Sequence, residues 1–244
     1  MSWLKEMRSL SEPEILIGID EAGRGPLIGD MVVAGVMGAR SQFEKLAEIG
    51  VKDSKKLQPH QRYHLYKEIV RSDLYILIIY VPPFKIDSEN LNKLLASSIR
   101  RILGYFSRIV LKNDKSIGII IDEVKGIKKI VEKYARELFK QRLSIFVMEP
   151  HADSKYIPVS TASIVAKISR DKNIEILKKL LGDFGSGYPS DPLTREWLIE
   201  KQLELTQPPL ILRRSWHTVK DLAPLWYREK GKISKNIMDF TIKK

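Results

Sequence analysis

Cysteine is absent from all 244 residues, which excludes disulfide bridges, thiolate metal sites and a cysteine nucleophile together. A reducing compartment suits such a chain, and a cytoplasmic location is the expectation. Long apolar runs are missing too. The longest, Leu74 to Val81, falls far short of the ~20 residues a membrane-spanning helix needs. Met1 to Glu14 carries Lys5, Glu6, Arg8, Glu12 and Glu14 where a signal peptide would hold an apolar core. No internal repeat, low-complexity segment or heptad series is present, so a monomer without membrane contact is the default expectation.

Negative charge is the minority: 30 Asp and Glu stand against 42 Lys and Arg, a net charge of +12. Such an excess favours a polyanionic partner, because each neutralised phosphate releases counterions. A Lys-rich surface kept for solubility and ion-pair networks gives the same count, so charge alone leaves both readings open. Aromatic residues at 8% and hydrophobic residues at 43% are those of an ordinary globular chain, long enough to bury a substantial core.

Three short apolar runs, Ile15 to Ile19, Met31 to Ala39 and Leu74 to Val81, read as strands. Gly23, Gly25, Pro26 and Gly29 between the first two predict a hairpin-like reversal. An insertion from about Ser41 to Asp73 carries at least one helical pattern. From Asp87 to Phe106 the period becomes helical, with Leu91, Leu94, Leu95, Ser98, Ile99 and Ile102 on one face. A strand at Ile117 to Ile121, a basic helix at Ile127 to Gln141 and a strand at Ile145 to Met148 follow. The expected fold is α/β, a mixed five-stranded sheet flanked by helices. A helix from Val159 to Leu181 opens on Ser160, Thr161, Ala162, Ser163 and Ala166, small enough to pack closely on a sheet or substrate. Residues 1–182 are read as the catalytic domain and 183–244 as a helical C-terminal portion with a basic tail.

Two acidic pairs end strands. Asp20 and Glu21 close the first, directly before Gly23-Arg24-Gly25, and Asp122 with Glu123 closes the strand at Ile117 to Ile121. Were these strands parallel neighbours, both pairs would emerge at one carboxyl edge, where open α/β sheets place their sites. Hard divalent cations require such oxygen donors. Side chains alternate along a strand, so Asp20 and Glu21 share a site only if the strand bends or ends between them. Solvated strand-end acids remain the competing reading for either pair alone.

These residues carry a resemblance. GIDEAGRGPLIGD at 18–30 resembles the opening signature of ribonuclease HII, and Asp53-Ser54-Lys55-Lys56-Leu57 resembles its DSKKL segment. Asp122 ends its third signature strand. His151-Ala152-Asp153-Ser154-Lys155-Tyr156 with Val159 to Asp171 resembles its next block, and Gly187-Tyr188-Pro189-Ser190-Asp191-Pro192 its last. The likeness runs from about residue 15 to 220, with the motifs in family order.

The resemblance implies a ribonuclease H-like fold and an endonuclease that cuts the RNA strand of RNA/DNA hybrids and ribonucleotides embedded in duplex DNA. Asp20, Glu21, Asp122 and Asp153 look like its four catalytic, metal-binding carboxylates, and two ions, Mg²⁺ or Mn²⁺, are the implied cofactors. Gly23, Arg24, Gly25 and Tyr188 correspond to residues that recognise the ribonucleotide 2′-hydroxyl, the atom that separates RNA from DNA. Lys55 and Lys56 are read as phosphate contacts, with Ser54 and Ser163 assisting. Lys155, Lys167 and Arg170 lie beside the Asp153 block, and Arg170 with Asp171 reads equally as a pair supporting the helix.

The chain departs from the family at His151, usually lysine and read here as structural or peripheral, at Asp30, where proline is common, and at Thr161, where alanine is common. From Arg228 to Lys244 six basic residues face two acids. Ser234, Ile237 and Phe240 there loosely resemble a sliding-clamp docking peptide, without its glutamine and second aromatic. Two alternatives stand beside this reading. A non-catalytic basic RNA-binding protein explains the charge but not four acids at strand ends. A ribonuclease HIII-like enzyme would normally carry an additional N-terminal module.

Overall fold

The computed structural model describes residues 13–51, 57–110 and 114–231. The five strands are β1 (Ile15–Ala22), β2 (Met31–Ala39), β3 (Tyr75–Val81), β4 (Ile117–Asp122) and β5 (Leu143–Glu149), in sheet order β3-β2-β1-β4-β5. β1 pairs antiparallel with β2 and β2 with β3, whereas β4 lies parallel to both β1 and β5. The mixed five-stranded sheet expected from the sequence is thus the one formed. β1, β2 and β4 are buried on both faces, which is why they read as continuous apolar runs without polar alternation. β3, on the sheet edge, stays half exposed.

The helices are α1 (Arg40–Glu48), α2 (Pro59–Arg71), α3 (Pro83–Ser88), α4 (Leu91–Val110), α5 (Lys128–Phe139), α6 (Ala152–Lys155), α7 (Ile157–Leu181), α8 (Pro192–Glu204) and α9 (His217–Leu222). The single pattern expected from Asp87 to Phe106 divides into α3 and α4. Asp87 does not join the second helix because its buried carboxylate accepts from the Arg214 and Ser215 amides and the Ser215 hydroxyl. The basic helix is shorter than expected, since at Lys140 φ turns to +51° and one 3-10 turn leads into β5.

The chain forms two compact units. Of the described residues, the first comprises 13–24, 31–51, 57–81, 92–110 and 114–173, and the second 25–30, 82–91 and 174–231. In the first, one face of the sheet packs Leu16, Ala34, Val36 and Ile120 against Phe43, Leu65, Val159, Ala162 and Val165 of α1, α2 and α7. Ile102 and Phe106 of α4 lie over Gly35 on the other face. α7 meets β1 more closely than any side chain would permit: a Cβ on Gly18 would sit 2.1 Å from the Pro158 carbonyl oxygen. The small residues that open α7 therefore seat helix backbone on strand backbone.

In the second unit Leu27, Ile28, Phe184, Trp197, Leu212, Val219 and Trp226 form a core. The segment 25–30 is held there by the Gly187 and Ile211 carbonyls and by an Ile28–Leu212 bridge. The reversal between β1 and β2 thus leaves the sheet before returning antiparallel. No described helix is long and apolar enough to cross a membrane.

Candidate active site

The register of β1 against β4 positions the first two acids. Their parallel pairing ends at Ile19 opposite Ile121, so Asp20 and Asp122 occupy equivalent positions one step beyond the last pair and on the same face. β1 does not end between Asp20 and Glu21, one of the two ways in which the sequence allowed both to share a site. It continues to Ala22 on β2, and the space for both acids opens because β4 no longer pairs with it.

Three backbone and side-chain groups fix these carboxylates. The Glu21 amide donates to Asp20 Oδ1 at 2.8 Å, and the Ser163 side chain of α7 makes a second hydrogen bond to Asp20. The Ala152 amide donates to Asp122 Oδ1 at 2.8 Å. His151 sits in the left-handed region, φ +59°, and this turn sends the chain from β5 into α6, which starts at Ala152. Asp153, in the first turn of α6, is 1% exposed.

Asp122 acts on both Asp20 and Glu21, and Asp153 acts on Glu21. Burial pushes the Asp20 carboxyl well above the usual range, and the charges of Glu21 and Asp122 push it further, against the Ser163 and Glu21 hydrogen bonds. Glu21 rises from 4.5 to about 7, chiefly by burial and then through Asp122 and Asp153, against the pull of Arg24. Arg24 Nη1 stands 3.8 Å from Glu21 Oε1, and Arg24 Nη2 donates to Asn92 Oδ1 at 2.8 Å. Asn92 in turn donates to the Lys125 carbonyl, tying the loop after β1 to the loop after β4. Sequence reading did not single out Asn92, because an Asn in the first turn of a helix carries no distinguishing signal.

Acids placed so that burial and neighbouring negative charge hold protons on Asp20 and Glu21 are a donor set suited to hard cations, whose charge removes the repulsion. Among the described residues no three His, Asp or Glu side chains already surround one point. A pH dependence follows. Metal-free, the folded protein keeps a proton on Glu21 between about pH 4.5 and 7 that the unfolded chain releases. The stability this group contributes is present at low pH and lost as pH rises through about 7. A divalent cation binds the deprotonated form, so Mn²⁺ or Mg²⁺ is expected to raise the melting temperature more at pH 8 than at pH 5.5. Equal metal-induced shifts at both pH values would show that these acids do not hold the ion.

Other candidates take different places. Gly23 and Arg24 belong to the first unit, Gly25 and Tyr188 to the second. Within that unit, Tyr188 Cε1 lies 3.7 Å from where a Gly25 Cβ would stand. The Tyr188 loop is preformed. Asp191 caps α8 and holds the Ser186 amide, while Thr194 Oγ1 accepts from Gly187 and donates to the Phe184 carbonyl. The sequence motif contains Asp191 but does not disclose this capping role.

Asp30, also in the second unit, is raised by burial and drawn back by Arg213. Lys155 pairs with Glu149 at 2.7 Å. Arg170 is buried with Asp171 4.0 Å away, as the helix-supporting reading supposed, and the buried Thr161 hydroxyl donates to the Ile157 carbonyl. Ser54, Lys55, Lys56, Ser234, Ile237 and Phe240 lie outside the described residues.

A mixed sheet with helices on both faces and clustered acids at the carboxyl edge of its central strands defines a nuclease of the ribonuclease H-like fold. A family model described as ribonuclease HII matches residues 17–219. The ribonuclease HII of Hyperthermus butylicus is 44% identical over 216 residues, 88% of this chain and 87% of that protein. The crystal structure of ribonuclease H2 from Pyrococcus horikoshii superposes with a TM-score of 0.74 at 36% identity, covering 87% of this chain and 98% of that one. A ribonuclease HII solved in complex with PCNA, from Archaeoglobus fulgidus, gives 0.67 at 37% identity, covering 83% and 95%. The chain belongs to the ribonuclease HII family. It is a ribonuclease H, a hydrolase acting on RNA/DNA hybrids, and the non-catalytic reading of its charge is set aside.

Proposed function

We propose that this enzyme hydrolyses the RNA strand of RNA/DNA hybrids and also cuts on the 5′ side of ribonucleotides embedded in duplex DNA, leaving 5′-phosphate ends. The observation that carries this reading is the convergence of Asp20, Glu21, Asp122 and Asp153: Glu21 and Asp122 raise the proton affinity of Asp20, and Asp122 and Asp153 raise that of Glu21. Asp20, Glu21, Asp122 and Asp153 would hold two divalent ions, Mg²⁺ or Mn²⁺. Such ions, when bound, supply an activated water and neutralise charge on the leaving 3′ oxygen.

The protein's own groups do the remaining work. Ser163 and the Glu21 amide orient Asp20, the Ala152 amide orients Asp122, and Arg24 orients Glu21. None of the four acids needs to act as a nucleophile. Gly23, Arg24 and Gly25 offer backbone that a ribose can approach closely, and Tyr188, beside Gly25, packs against the sugar and hydrogen-bonds through its hydroxyl. Lys55 and Lys56 contact phosphates, which position a duplex without reading its sequence. In this reading residues 1–182 act as the catalytic domain and 183–244 as a helical C-terminal portion with a basic tail.

The test is cleavage of an end-labelled DNA duplex holding a single ribonucleotide, with Mg²⁺, Mn²⁺ or EDTA, beside an all-DNA control. A metal-dependent cut 5′ of the ribonucleotide, absent from the control, is expected. Tyr188→Ala is expected to weaken junction cleavage by about 10²-fold and cleavage of long hybrids much less. Cutting of long hybrids alone by the unaltered enzyme would sink the junction activity and favour a ribonuclease HIII-like specificity. The Archaeoglobus fulgidus relative was solved with PCNA, which supports a sliding clamp as partner, and the C-terminal tail is the segment read here as docking on it. Clamp stimulation surviving deletion of residues 232–244 would remove that proposal.

A further inference from the structure

The segment 25–30 opens on Gly25-Pro26, and this start restricts how it can be anchored. Pro26 has no amide hydrogen, so the Gly25–Pro26 peptide can be fixed only through the Gly25 carbonyl. Trp216 supplies the donor: its indole Nε1 donates to the Gly25 carbonyl at 3.1 Å. The following peptides have backbone partners, since the Leu27 and Ile28 amides donate to the Gly187 carbonyl and the Gly29 amide to that of Ile211. On its other side Gly25 meets Tyr188, whose Cε1 lies 3.7 Å from where a Cβ would stand. Within the second unit, therefore, two aromatic side chains bound Gly25: one bonds its carbonyl and the other faces its Cα.

The indole is itself held in place. Its ring packs on the core of the second unit, and Arg213 and Lys230 lie over it, 5.3 and 5.8 Å from its centroid. Asp87, 1% exposed, fixes the chain around it. The Asp87 carboxylate accepts from the Arg214 and Ser215 amides, immediately before the indole, at 2.9 Å each. Its backbone carbonyl accepts from the Gly231 amide, next to Lys230, at 3.0 Å. A buried carboxylate is costly to desolvate, and this one takes no part in the proposed cleavage; what it secures is the position of Trp216. Any aromatic ring would serve the packing and the two cations, whereas the N–H serves the Gly25 carbonyl.

We propose that Trp216 is a positioning residue for ribonucleotide recognition, holding Gly25 at the spacing from Tyr188 that receives a ribose and its 2′-hydroxyl. The proposal rests on the reading of Gly25 and Tyr188 as ribonucleotide contacts. Trp216 itself touches no reacting atom. It acts through the Gly25 peptide, which glycine's conformational freedom would otherwise let turn, and an error of about 1 Å in such a constellation is costly in rate. A duplex with one ribonucleotide offers a single register, so the whole loss is felt there. A long hybrid presents a ribose at every step and tolerates a looser grip.

Trp216→Phe keeps an aromatic ring for Arg213 and Lys230 and removes the N–H. The measurement is kcat/KM for a duplex with a single ribonucleotide divided by kcat/KM for a long hybrid, on one preparation, so that any unfolded fraction cancels. The ratio is expected to fall about tenfold. In a Tyr188→Ala background the same substitution should lower it much less, because both side chains act on one peptide. A merely structural role would move both substrates together and leave the ratio where it was. An unchanged ratio, or a loss of equal size in both backgrounds, would overturn the proposal, while cleavage of the single-ribonucleotide duplex by the unaltered enzyme would still uphold the functional reading. If the unaltered enzyme leaves that duplex uncut, the functional reading fails and the proposal fails with it.

Discussion

Asp122→Asn is expected to lower turnover by about three orders of magnitude while leaving the fold and hybrid affinity in place. The substitution separates two properties of one side chain. Asn keeps an Oδ1 acceptor for the Ala152 amide that Asp122 now receives at 2.8 Å, so the start of α6, and with it Asp153, stays in position. What is lost is the charge. Asp122 is one of the groups that raise both Asp20 and Glu21, and its neutralisation lets those two ionise more readily in the absence of metal. The metal-free variant should therefore be at least as stable as the parent, a common compromise between stability and activity in catalytic centres. Steady-state cleavage of a hybrid, beside its binding in EDTA and the melting temperature, checks all three. Substantial remaining turnover would place the metal site elsewhere.

Gly18→Ala is expected to have the largest effect on the fold, although residue 18 makes no contact with substrate in the proposed mechanism. The new methyl would fall 2.1 Å from the Pro158 carbonyl oxygen and 2.7 Å from the Val159 amide nitrogen. Both are backbone atoms of α7, which cannot rotate away as a side chain would. Relief requires lifting the helix from the sheet, at a cost of about 3 kcal/mol or more, a fall of roughly 10 °C in melting temperature. Because Ser163 hangs on the same helix and bonds Asp20, turnover of the remaining folded protein should fall as well. A variant that melts with the parent would show that α7 is not seated on β1.

Much of the fold was legible because its signals are local. β1, β2 and β4 are short continuous apolar runs bounded by Gly or charged residues, and α4 carries its apolar residues at helical spacing. Helix limits were less legible where a side chain serves another part of the chain. Asp87 fits the helical pattern, yet its carboxylate is committed to Arg214 and Ser215, 127 and 128 residues away, so the helix begins at Leu91. The candidate residues were legible as chemistry, through two acidic pairs and a Gly-flanked Arg, and through motifs in the order of one family. Asn92 and Thr194 were not, since a single Asn or Thr looks the same whether it ties two loops together or meets water.

By itself, then, the sequence determined the inventory: no thiol chemistry, a basic balance of charge, acids that end strands, and membership of one nuclease family. These depend on residue identity and short spacing, which are present before folding. Tertiary structure decided which acids act together. The parallel register that aligns Asp20 with Asp122 joins strands about a hundred residues apart, and no local period encodes such a pairing. Likewise, the raised proton affinities of Asp20 and Glu21 arise from burial and from charges brought near only when β4 and α6 close around β1.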